Sequence, residues 1–187
     1  LTGWAGFPGY RRMFIPAYTD FQPEINPDSP IAVCGNLTVG TGASLTVKAG
    51  QSLTVSGDLS NSGALTIESS SVVANGSLIV SGTSTGNVTY NRVMNTSNDL
   101  YHFFSSPVGA ATFPTTGTVW GYDEPTGAWP ETITNVPGRG YTLEKGIASL
   151  SFVGPVTTSD VTVEASSPYA DVITGGVAGE YDGRALA

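Results

Sequence analysis

Residues 36–55, "NLTVGTGASLTVKAGQSLTV", repeat the triplet Leu-Thr-Val at Leu37, Leu45 and Leu53, eight residues apart each time. Side chains alternate across a strand, so Leu and Val of each triplet share one face and Thr takes the other. Lys48 is the only charged residue in this stretch. Gly or Asn in "GTGA", "KAGQ", "SGDLSNSGA" and "ANGS" supplies the dihedrals of sharp bends. The same apolar spacing continues at Leu59, Leu65-Thr66-Ile67, Val72-Val73 and Leu78-Ile79-Val80. Strand starts then pair as 37 with 59, 45 with 65 and 53 with 72. Three short strands per coil and about twenty residues per coil describe a β-solenoid, each rung stacking on the one before. A meander of hairpins in a β-sandwich is the alternative reading of such spacing.

Composition agrees with an all-β chain. Among 187 residues there are 24 Gly and 12 Pro, and only 12% of residues are charged. Ser, Thr and Val dominate the stretches between Gly and Pro, and these are mediocre helix formers. The net charge of −8 and the lack of any basic cluster beyond Arg11-Arg12 argue against nucleic acid. They equally disfavour an anionic membrane surface, and no apolar run approaches the ~20 residues of a spanning helix. The chain opens on Leu1 without a signal peptide and reads as a processed or excised piece of something longer. Cys34 is the single cysteine, which excludes an internal disulfide and reads as a small buried hydrophobe.

Three regions are expected. Residues 1–34 carry Pro8, Pro16, Pro23, Pro27 and Pro30, which exclude a helix or a long central strand. Their aromatics, Trp4 to Phe21, suit an irregular cap laid over the open end of a solenoid spanning 35–92. Residues 93–187 alternate aromatic segments of about six residues with Pro/Gly turns, as a β-sandwich does. Within them "VWGYDEPTGAW" reads as a hairpin, Val119–Tyr122 running in and Ala128-Trp129 running back.

The order of motifs resembles a known group of proteins. A Pro-rich start ("FIPAYTDFQPEI"), a Cys before the first repeat ("CGNLTV") and the repeats themselves lead to "GNVTYNR", "YHFFSSPVG", "WGYDEPTGAW", "GRGYTLE" and "LSFVGPVTTSDVTV". The series is similar to the stalk and β-sandwich region of large surface proteins exported by the type IX secretion system of Bacteroidetes, many of them adhesins or gliding-motility proteins. The resemblance covers about residues 14–165. It implies an exported, cell-surface location and a structural or adhesive role, with no catalytic residue.

Candidate chemistry is sparse. His102, Ser105, Ser106 and Asp99 lie close in sequence, but no Gly-x-Ser-x-Gly elbow presents a nucleophile, and His102 reads as a strand histidine. Asp123 with Glu124, or Asp20 with Glu24, would offer turn oxygens to Ca²⁺, yet no D-x-D-x-D-G series accompanies them; no cofactor is expected. Outward threonines raise ice binding, but Thr38 would stack on Ser60 and then Ile79, and Thr54 on Val73, which breaks the array. Trp120, Tyr122 and Trp129 are the aromatic cluster of interest: exposed, a platform for sugar rings; buried, the large side chains of a sandwich core. Burial is the preferred reading, because exposed aromatic clusters are rare.

The function expected is therefore a non-enzymatic structural or adhesion module of an exported bacterial surface protein. A self-associating fibre subunit, built through unpaired strand edges, is one alternative. A carbohydrate-binding module is the other. Expected partners are protein partners or copies of the chain meeting at strand edges, and glycans.

Overall fold

The computed structural model describes residues 12–17, 21–28, 31–95, 101–109, 113, 117–123, 126–132 and 134–162. Among them there are only strands, turns and bends, and no helix. Three parallel sheets wind around one interior. The first joins β1 (Met13–Ile15), β4 (Leu37–Val39), β7 (Leu59–Asn61) and β10 (Ser84–Thr85). The second runs through β2 (Glu24–Ile25), β5 (Ser44–Val47), β8 (Ala64–Ile67) and β11 (Val88–Val93). The third is β3 (Ile31–Cys34), β6 (Ser52–Val55) and β9 (Ser77–Val80). Each strand lies on its counterpart of the previous coil, giving a β-solenoid of about three turns with rungs about 22 residues apart.

The alternation in the triplets decides what is inside. Leu37, Val39, Leu45, Val47, Leu53 and Val55 are all buried, while Thr38, Thr46 and Thr54 look outward. Stacking produces apolar columns; on the second sheet Ile25, Val47 and Ile67 align and are followed by Tyr90. Outside the same sheet, Thr46, Thr66 and Thr89 form a column of their own. Cys34 is free and lies within this core, where burial pushes its thiol pKa up.

Two expected pairings hold, Leu37 with Leu59 and Leu45 with Leu65. The third does not. Leu53 stacks on Leu78 and Thr54 on Ile79, not on the Val72-Val73 pair. Residues 69–76 leave the coil as a small excursion, closed by an antiparallel Ser69–Asn75 bridge and the Gly76 N–H to Glu68 C=O hydrogen bond of 2.7 Å. Val72 and Val73 are consequently exposed. In the same way Thr38 stacks on Ser60 and then Thr85, where Ile79 had been expected.

Residues 13–34 contribute more than an irregular covering. Despite the prolines, β1, β2 and β3 set a first coil in register under the Leu-Thr-Val coil, with Met13 on Leu37 and Ala32 on Leu53. They are short, two to four residues, as the prolines require. The aromatics Trp4, Phe7, Tyr10 and Tyr18 lie outside the described residues.

The C-terminal end closes differently. β15 (Ser149–Gly154) pairs antiparallel with β11, so the second sheet ends in a strand that runs against the winding. Beyond the last rung its inner residues Leu150 and Phe152 need cover. That cover is a separate antiparallel sheet, β12 (His102–Phe104), β14 (Tyr141–Leu143) and β13 (Val119–Gly121), in that order. Phe104, Phe113, Val119, Tyr141 and Leu143 pack with Leu150 and Phe152 into a second core, a two-layer β arrangement. Tyr90 belongs to both cores. Glycine is obligatory at two junctions. Gly86 has φ +81°, and a Cβ there would overlap the Asn61 carbonyl; at Gly154 it would overlap the Gly109 carbonyl.

Candidate functional site: the outer face of the three-stranded sheet

The antiparallel register assigns the two faces of this sheet. Phe103 and Trp120 both stand opposite Thr142, one on each side, and therefore share the face turned away from the core. Tyr101 and Tyr122 lie two residues from them along the strands and project the same way. The opposite face carries Phe104, Tyr141, Leu143 and Val119 and is the inner one.

The chain then returns beside β13. Bridges between Asp123 and Ala128 and between Trp120 and Glu131 hold this arm, which brings Trp129 alongside Tyr122, ring centroids 4.9 Å apart and tilted by 44°. Trp129 also meets Phe103 at 6.4 Å and 57°. Trp120 and Tyr101 meet edge to face at 5.7 Å and 75°. The expected hairpin thus brings Trp120, Tyr122 and Trp129 onto one surface, but the expectation that they form a core is overturned. Trp120 is half-buried, while Tyr122 is 39% and Trp129 47% exposed. The reason is the second layer: the inner face is already filled by Phe104, Phe113 and Tyr141, so these rings fall outside.

Two further rings were not anticipated. Tyr101, 52% exposed, and Phe103, 77% exposed, extend the cluster to five. Their alternation in "LYHFF" was legible, but the strand beside them was not. Under the rings, Thr142 is buried and its hydroxyl has no hydrogen-bond partner. Charged groups rim the face. Lys145 Nζ stands 5.6 Å from the Tyr101 ring centre. Arg139 donates to the Tyr122 carbonyl and lies over the Tyr141 ring. Glu144 accepts from the Thr118 N–H at 2.9 Å, and Asp123 accepts from the Thr126 hydroxyl.

The other candidates are dispersed. His102 turns to the inner face, with its Nε2 buried and unpartnered. Ser106 donates to the Val108 carbonyl at 2.8 Å in a local turn, and Asp99 lies outside the described residues. Glu24 pairs with Lys48 at 2.9 Å, and Lys48 reaches Glu68 of the next coil at 3.4 Å. Asp20 and Glu124 lie outside the described residues, and among those described no three His, Cys, Asp or Glu side chains gather into a metal site.

No curated protein and no solved structure is similar to this chain at a significant level. Residues 4–147, most of the sequence, match the model of a family described as a domain of unknown function (DUF8693), and the chain belongs to that family.

Proposed function

We propose that this chain is a non-enzymatic adhesion module of an exported bacterial surface protein, a stiff rod whose capping sheet binds carbohydrate. The observation that carries the reading is the outward cluster of Tyr101, Phe103, Trp120, Tyr122 and Trp129. Soluble domains rarely leave so much contiguous aromatic surface in water without a partner. The rings are Trp, Tyr and Phe with no aliphatic among them, and flat π faces suit the C–H faces of sugars. The unpartnered Thr142 hydroxyl beneath them adds a polar group of the kind such sites use for orientation. The export and surface location rest on the motif order quoted above. The stalk role is supported by a stack whose interior is aliphatic and whose exterior is low in charge.

The fibre alternative meets an obstacle in the antiparallel β15 and the sheet packed over it, which end the parallel ladder of the second sheet at its C-terminal side. A monomer is therefore expected in light scattering across a wide concentration range, and a ladder of oligomers would favour the fibre.

The test of the carbohydrate reading is affinity electrophoresis and pull-down of the whole chain against a panel of soluble and insoluble polysaccharides. Trp129→Ala is expected to weaken binding about tenfold or more, equivalent to about 1.4 kcal/mol, with an unchanged far-UV spectrum. Binding that ignores both Trp129→Ala and Tyr122→Ala would place the contact elsewhere on the molecule.

A further inference from the structure

The tilts between the rings say which physical form of carbohydrate this face can take. The inference rests on the carbohydrate reading above. We infer that the site takes a single, soluble, uncharged polysaccharide chain, and that it rejects both crystalline polysaccharide surfaces and acidic polysaccharides.

A crystalline polysaccharide presents sugar rings in one plane. Several aromatic rings can stack on it together only if they are themselves coplanar. Here Trp129 is inclined by 44° to Tyr122 and by 57° to Phe103, and Trp120 by 75° to Tyr101. A plane laid on any one of these rings meets the edge of its neighbour. The tilts have a structural cause. The rings hang from different strands of a small twisted sheet and from the returning arm, and adjacent strands are rotated by roughly 20–25°.

A free chain has no such constraint. Successive sugars rotate about the glycosidic bonds and offer their faces at changing angles. Trp129 is the ring common to both exposed pairs, with partners at 4.9 and 6.4 Å, about the pitch of one sugar unit along a chain. It acts as the anchor, with Tyr122 and Phe103 meeting the sugars on either side.

Charge excludes the acidic class. The face is bordered by Asp123, Glu131 and Glu144, all on or beside its strands. Against these three carboxylates the described residues set two cations, Arg139 at the Tyr122 carbonyl and the Tyr141 ring, and Lys145 beside Tyr101. The chain as a whole carries −8. A polyuronate would meet a face with more carboxylates than cations, and net repulsion.

The experiment compares three classes of probe with the intact chain. Galactomannan and mixed-linkage β-glucan are the soluble neutral chains, cast in native gels. Microcrystalline cellulose and crystalline chitin are the solids, read by depletion from solution. Alginate is the acidic chain, run at low and moderate salt. We expect retardation by at least one neutral soluble chain, lost about tenfold in Trp129→Ala, with no depletion by the solids and no retardation by alginate. Depletion by a crystalline solid that Trp129→Ala abolishes would overturn the inference while keeping the carbohydrate reading, as would alginate binding that the same substitution removes. Silence with every probe would overturn both.

Discussion

Leu45 is buried in the solenoid interior with Leu65 stacked on it, whereas its neighbour Thr46 faces water. Leu45→Ala is expected to cost about 2–5 kcal/mol in urea unfolding, the transfer term plus the cavity left in a stack that collapses poorly. Thr46→Ala should stay within about 0.5 kcal/mol. Tyr90 gives a different handle at the same scale. Burial pushes its phenol up to about 12 from 10.0. The folded state therefore holds the proton more tightly than the unfolded one. Its contribution is complete below pH 10 and is lost as pH rises toward 12, by about 2–3 kcal/mol. Lys48 has the same sign: the hydrogen bond it donates to Glu24, ahead of the pull of Glu68, raises its pKa. Denaturation followed from pH 9 to 12 should show falling stability. Tyr90→Phe should remove most of the fall, and added salt should remove only the exposed Lys48 part.

At the scale of elements, the coil is set by its corners. Gly86, in a left-handed conformation against the Asn61 carbonyl, begins the turn into β11. Gly86→Ala is expected to destabilise by at least about 1–3 kcal/mol from strain alone, read as a lower urea midpoint with an unchanged slope. Strand existence was legible because Leu-x-Val alternation fixes which face is buried; this is why Leu37–Leu59 and Leu45–Leu65 could be paired from spacing. The 53-to-72 pairing failed because spacing cannot tell a stacked strand from a corner excursion of similar length. Leu78-Ile79-Val80 keeps the Leu-x-Val spacing of the earlier triplets, whereas Val72-Val73 does not, and that was the usable signal. The first coil was obscured by prolines, which shorten strands without forbidding them. At the aromatic face, the hairpin and the grouping of Trp120, Tyr122 and Trp129 could be read. Their exposure could not, since it depends on Phe104 and Phe113 arriving from elsewhere to fill the inner side.

At the scale of the molecule, solenoid and capping sheet are not separable in energy. β15 extends the same sheet as β2, β5, β8 and β11, and Tyr90 packs in both cores. A single unfolding transition is expected, with far-UV dichroism and tryptophan fluorescence coinciding. In a Trp4→Phe background that fluorescence reports only Trp120 and Trp129 on the capping sheet. An earlier fluorescence midpoint would mean that the cap opens first and leaves the coils standing.

The hydrogen bonds between coils run along the direction in which the coils stack. A rod of this kind, pulled from its ends, carries tension along those bonds and yields one coil at a time, not by shearing a whole sheet at once. Each coil that lets go adds about 22 residues of free chain, up to roughly 75 Å of slack. In the stalk role proposed above, a rod built this way would lengthen in steps under load and so limit the force that reaches its far end.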